Sequence, residues 1–200
     1  YAAFTEIAGR AGFDYAIIDT EHGPLSIETA EDLCRAGQCG GLAPIVRVRE
    51  NEPTLIQRAL DIGSAGVQVP QISTPADAEK AVRSAKYWPY GQRGFSPATR
   101  AGDYFLSGSV GLTDRLNEEQ MLIVHIEGKE GVENLDAILA VPHIDVIFLG
   151  PYDLSQSLGI PGQVNDPLVT NTLIDAAHRI REAGKFAGTF CGTAESAQFW

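Results

Sequence analysis

Six short runs of apolar, largely β-branched or aromatic residues recur along the chain, at residues 15–18, 44–48, 66–69, 121–126, 144–149 and 186–190. Most are nearly continuous in apolar character and do not alternate. Strands covered on both faces have this pattern, and it predicts a parallel sheet with helices packed around it. The segments between the runs carry helix signals. Thr74-Pro75 reads as a cap followed by proline at the first helical position, and Ala78, Ala81, Val82 and Ala85 then share one face. Asn51 or Glu52 before Pro53 opens a second helix with Leu55, Ile56, Ala59 and Leu60 on one side. Ser26 caps a third, which runs from Ile27 to about Gln38 and ends at Gly40-Gly41. A fourth runs from about Leu168 to Ala183 and stops at Gly184, and terminal helices are expected over residues 2–11 and 193–200.

Strand and helix therefore alternate at the spacing of a βα unit. One stretch, residues 87–117, breaks the rhythm: it holds Pro89, Gly91, Gly94, Pro97, Gly102, Gly108 and Gly111 but no strong strand. So long a loop in a folded domain is usually functional or a subunit contact.

Two α/β architectures fit six strands. An open nucleotide-binding sheet needs a glycine-rich turn after its first strand, and none is present. A (β/α)8 barrel needs polar residues at the C-terminal ends of several strands. Here Asp19-Thr20-Glu21-His22, Arg47 and Arg49, Gln71, Glu127, and Tyr152-Asp153 occupy those places in turn. The fold class expected is therefore α/β, a (β/α)8 TIM barrel forming one domain over residues 1–200. On this count the first and last strands fall outside the chain, which reads as truncated at both ends, since six strands alone would expose two long parallel edges.

Composition narrows the function. Apolar residues make up 44% and charged residues 20% of the 200, which is ordinary for a globular chain. The net charge of −11 argues against a non-specific nucleic-acid binder, which needs dense Lys and Arg. Cys34, Cys39 and Cys191 form no C-x-x-C pair, so neither a disulfide framework nor a zinc knuckle is expected. No apolar run is long enough to span a bilayer and no signal pattern opens the chain, so the cytoplasm is the default location and no membrane partner is expected.

Chemistry concentrates in a few residues. Glu127 and Asp153 sit at the ends of adjacent strands, and a few hard oxygen ligands with positions left for water suit Mg²⁺ or Mn²⁺. The plainer alternative pairs Glu127 with Lys129 and has Asp153 cap the helix at Ser155. His22 lies three residues past Asp19, and a carboxylate beside a histidine can fix its tautomer and raise its basicity. A purely structural loop histidine is the alternative. Arg47 ends an apolar strand and needs an anion: Asp19, Glu21 or a substrate oxygen.

Five segments together resemble the HpcH/HpaI aldolase family, metal-dependent aldolases for 4-hydroxy-2-oxo acids related to the citrate lyase β-subunit. They are FDYAIIDTEHGP (13–24), PIVRV (44–48), YWPYGQRG (87–94), IEGKEG (126–131) and FLGPYDLS (148–155). The D-x-E-H-G and G-P-x-D-L-S motifs, in this order and spacing, are highly specific. The resemblance implies a trimer-based hexamer, a divalent metal (Mg²⁺, Mn²⁺ or Co²⁺) on Glu127 and Asp153, and His22 as the base, oriented by Asp19. It places Arg47 against the keto oxygen of pyruvate, and Gly150, Pro151, Tyr152 and Asp153 around the pyruvate carboxylate, with His125 in the same pocket. The implied reaction is reversible cleavage of a 4-hydroxy-2-oxo acid to pyruvate and an aldehyde through a metal-bound pyruvate enolate. Two residues depart from the family pattern: His125 stands where glutamine is usual, and Trp88 replaces a proline.

Three rivals define the tests. A Schiff-base aldolase needs a lysine at a strand's C-terminal end, and Lys129 is the one in place; Lys80, Lys86 and Lys185 are not. A lyase for acyl-CoA thioesters of the citrate lyase β-subunit or malyl-CoA lyase type shares the superfamily. A non-catalytic metabolite-binding barrel would not need His22, Arg47, Glu127 and Asp153 together.

Overall fold

Each of the six apolar runs forms a strand in the structure, a computed structural model that describes residues 1–200. Strand order along the sheet follows chain order, β1 (Tyr15–Asp19), β2 (Ala43–Arg47), β3 (Gly66–Val69), β4 (Met121–Ile126), β5 (Val146–Leu149) and β6 (Phe186–Thr189). Helices alternate with them, so the fold is α/β with strands in the succession of consecutive βα units. The chain packs as two compact units.

The first unit comprises residues 1–70 and 80–122. Its strands β1, β2 and β3 pair in parallel, with Asp19 beside Arg47 and Arg47 beside Gln68. Register partners in a sheet share a face, so these three polar side chains stand in a row. The opposite face carries Ile18, Val46, Val67 and Val69, all buried. Helices α1 (Ala2–Arg10), α2 (Ile27–Cys39) and α3 (Pro53–Asp61) belong to this unit. The Ser26 hydroxyl caps α2 by accepting from the Thr29 N–H at 3.2 Å, and Glu52 is the residue before the proline-led start of α3. A Cβ on Gly9 would lie 2.7 Å from the Gly40 carbonyl carbon, so α1 approaches the end of α2 only through glycine.

Residues 87–117 are expected as a loop and prove to be partly helical: after α4 (Pro75–Ala85) come a short turn at Asp103–Phe105 and helix α5 (Leu112–Glu119). Polar groups hold the stretch down. Arg93, its side chain 1% exposed, reaches Asp61 at 2.6 Å and Gln120 at 2.7 Å and lies over the Tyr87 ring at 4.5 Å. Lys86 donates to the carbonyls of Asn117 and Gln120.

The second unit comprises residues 71–79 and 123–200. Within it β4, β5 and β6 pair in parallel, with His125 beside Phe148 and Phe148 beside Gly188. Short helices α6 (Lys129–Glu133), α7 (Leu135–Leu139) and α8 (Pro151–Ser157) follow β4 and β5; α9 (Pro167–Glu182) precedes β6, and α10 (Ala194–Phe199) follows it. Strand β5 starts two residues later than the apolar run, because the Ile144 carbonyl accepts from Lys185 Nζ at 2.9 Å in a loop contact. Helix α4 (Pro75–Ala85) opens as expected: the Thr74 hydroxyl accepts from the Asp77 N–H, and Ala78, Ala81, Val82 and Ala85 are buried. No helix is long and apolar enough to cross a membrane.

Candidate active site

In the first unit, the end of β1 and the end of β2 build a dense charge cluster. Arg47 donates from Nε to one Asp19 oxygen at 2.8 Å and from Nη2 to the other at 2.5 Å, the bidentate fork that suits guanidinium and carboxylate. Its Nη1 lies 3.1 Å from Glu21 Oε2. Of the anions open to Arg47 in the sequence, Asp19 and Glu21 are both used. Burial pushes the Asp19 carboxyl up, but the hydrogen bond from Arg47, the Glu21 N–H and the guanidinium charge outweigh it and hold it below the usual carboxylate range.

His22 sits differently from the expectation. Asp19 Oδ1 accepts from the backbone N–H groups of Glu21 at 3.0 Å and His22 at 3.4 Å, so Asp19 shapes the loop and not the imidazole. The carboxylate is already committed to Arg47, whose two N–H donors match its two oxygens better than one ring nitrogen would. The His22 ring is exposed, with Nε2 3.9 Å from Glu21 Oε2. Glu21, not Asp19, is therefore the carboxylate nearest the ring.

In the second unit, Glu127 follows β4 and is only 8% exposed. Its Oε1 accepts from the Gln71 N–H at 2.8 Å, and Gln71 adopts φ 56°, a left-handed conformation uncommon for a side-chain-bearing residue. His125 Nδ1 lies 3.1 Å from Oε2, and an ionised Glu127 selects the Nδ1–H tautomer. The imidazole stacks on Phe148, centroids 4.6 Å apart and 15° from parallel, while its Nε2 is buried without a hydrogen-bond partner. Gly150 explains the G-P-x-D-L-S glycine: a Cβ there would lie 2.7 Å from Glu127 Cβ and 2.8 Å from its Oε2. Gly131 explains the other motif glycine, since a Cβ would meet the Ile72 carbonyl oxygen at 2.8 Å.

Pro151, Tyr152 and Asp153 form the first turn of α8, after Gly150. N–H groups of a first turn have no helix carbonyl before them, so those of Tyr152 and Asp153 are available to an acceptor. Asp153 is exposed there, and Ser155 donates to the Tyr152 carbonyl. Lys129 pairs along its own helix with Glu133 at 3.7 Å.

No group of three or more His, Cys, Asp or Glu side chains is arranged to hold a metal ion by itself. The carboxylates of Glu127 and Asp153 are nevertheless the donor type that suits a hard divalent cation, which fills much of its shell with water or substrate. The Glu127 carboxylate, fixed by a backbone N–H and a histidine with no side chain at Gly150 to crowd it, fits that role. Gln68, a polar residue inside the apolar run 66–69, is the register partner of Arg47 and carries no other mark in the sequence.

A profile of the HpcH/HpaI aldolase/citrate lyase family matches residues 1–197. The chain belongs to this family and is a carbon–carbon lyase of the aldolase type. It is 39% identical over 194 residues to 2-dehydro-3,6-dideoxy-6-sulfogluconate aldolase of Pseudomonas putida, covering 97% of this chain and 75% of that one. It is 39% identical to the hydroxypyruvate/pyruvate aldolase of Roseobacter denitrificans, covering 92% and 71%. A crystal structure of a family protein from Burkholderia cenocepacia superposes with TM-score 0.94 at 32% identity, covering all of this chain and 79% of that one.

Proposed function

We propose that this protein is a divalent-metal-dependent aldolase that cleaves a 4-hydroxy-2-oxo acid reversibly to pyruvate and an aldehyde. The observation that supports the reading most is Glu127: a nearly buried carboxylate held by the Gln71 N–H and by His125, beside a residue that must be glycine. A buried carboxylate is costly unless its charge is used, and a cation uses it. Glu127 and Asp153 would hold Mg²⁺, Mn²⁺ or Co²⁺, which when bound would supply positive charge that polarises the carbonyl of a 2-oxo acid.

The chain's own groups do the remaining work. His22, exposed at the end of β1, takes the proton of the 4-hydroxyl as the carbon–carbon bond breaks and returns a proton to the carbon beside the keto group. Arg47, kept charged and aimed by Asp19 and Glu21, stabilises the negative charge that develops on the keto oxygen. The N–H groups of Tyr152 and Asp153, with Gly150 and Pro151 shaping the turn, receive the substrate carboxylate, and His125 Nε2 lines the same pocket. The reading extends to a (β/α)8-type barrel domain, to which residues 1–200 contribute six strands, that works in the cytoplasm as a trimer or hexamer. Its similarity to aldolases that act on oxo acids supports the substrate class.

Manganese binding tests the metal assignment apart from turnover. Water-proton relaxation titrations should show Glu127→Gln and Asp153→Asn each weakening Mn²⁺ affinity by about tenfold or more. Wild-type affinity in both variants removes the carboxylates from this role.

A further inference from the structure

Gln68 lies in the middle of β3, is 1% exposed, and neither Oε1 nor Nε2 of its amide has a hydrogen-bond partner. A buried amide without partners is costly, because both its donor and its acceptor lose water and gain nothing. An apolar residue would serve the strand better, as Val67 and Val69 do on either side. The position is also specific. Gln68 is the register partner of Arg47, which is the partner of Asp19, and the Val48 N–H donates to the Gln68 carbonyl at 3.0 Å. Adjacent strands run about 5 Å apart, so the amide stands beside the arginine side chain on the same face of the sheet.

We propose that Gln68 is a substrate-binding residue for the aldol reaction, its amide hydrogen-bonding the oxo acid that Arg47 receives. The inference rests on the aldolase reading above and adds a contact to it. Arg47 offers donors only, whereas the amide offers one acceptor beside its donors. An oxo acid bearing a hydroxyl satisfies both halves of the amide: Nε2 donates to a keto or carboxylate oxygen and Oε1 accepts from the hydroxyl. The 4-hydroxy-2-oxo acids have this chemistry, and free pyruvate, which carries acceptors alone, does not. Gln68 thus favours the hydroxylated substrate over its product.

Gln68→Met removes both polar atoms at nearly constant shape, since methionine is unbranched and of similar length. Gln68→Asn keeps the amide and withdraws it by one methylene. Both are compared with wild type in retro-aldol kinetics, using the 4-hydroxy-2-oxo acid that wild type cleaves fastest, and in thermal unfolding. Gln68→Met is expected to keep or raise Tm while KM for the hydroxy-oxo acid rises about tenfold, the worth of one good hydrogen bond. KM for pyruvate in the synthetic direction should rise less. Gln68→Asn should also raise KM. If Gln68→Met matches wild type in KM and kcat, the amide holds only an internal water and the proposal falls. A clear loss of Tm in Gln68→Met also overturns it, because the amide then serves the fold. A wild-type enzyme that cleaves no hydroxy-oxo acid overturns the aldolase reading itself, an outcome distinct from an active wild type with an indifferent Gln68→Met.

Discussion

Asp19 and Gly150 carry separable consequences at the scale of single residues. The Asp19 pKa is lowered in the folded protein, below the unfolded value near 3.9. Its contribution to stability is therefore complete above about pH 4 and is lost as pH falls through the lower folded value. Urea unfolding at pH 7 and pH 3 should show that Asp19→Asn flattens the acid-side fall in stability; an unchanged fall in the variant removes Asp19 as a source of it. Gly150→Ala meets no conformational barrier, since φ is −91°, but its Cβ collides with the Glu127 side chain. The variant should retain a near-native Tm and lose activity by about a hundredfold, as expected when a catalytic group is displaced by about an ångström. Full turnover would mean that the position of the Glu127 carboxylate is immaterial. Much of this was readable in the residues: a lone arginine ending an apolar strand demanded an anion, and the choices open to it included the two it takes. The partner of the His22 ring was not readable, because Asp19 can serve the ring or the arginine and only the register of β1 against β2 decides.

Among the elements, the stretch between α4 and β4 depends on one buried charge. Arg93 ties residues 87–117 to Asp61 at the end of α3 and to Gln120. Asp61→Ala leaves the guanidinium without its counter-charge and should cost about 3 kcal/mol, read as a fall in the urea midpoint. A loss under about 0.5 kcal/mol would show that Gln120 alone satisfies it. Element ends were the most legible part of the fold, because caps act locally: Ser26, Pro53, Pro75 and Gly40 each mark an end where the structure has one. Helix α5 leaves little trace in the sequence, since its glycine-led start lacks a side-chain cap and its buried face is Leu112, Leu116 and Asn117 alone. The start of β5 is not legible in the sequence because Ile144 is buried in a loop, and burial without pairing looks like strand.

For the whole molecule, continuous apolar strands alternating with helices sufficed to give a parallel α/β fold, since only strands covered on both faces tolerate that composition. The motifs sufficed to give the family. The polar row Asp19–Arg47–Gln68 needed three dimensions, because it is assembled from three strands by register. Carbon–carbon cleavage by this chain should depend on a divalent cation held on carboxylates. Pyruvate release from a 4-hydroxy-2-oxo acid is followed with added Mg²⁺ or Mn²⁺, with chelator, and with enzyme treated beforehand with pyruvate and borohydride and then freed of both. Chelator should abolish release, added metal should restore it, and prior treatment with pyruvate and borohydride should leave it intact. Release that survives the chelator and is blocked by that treatment through trapping on a lysine such as Lys129 would contradict the dependence on a cation.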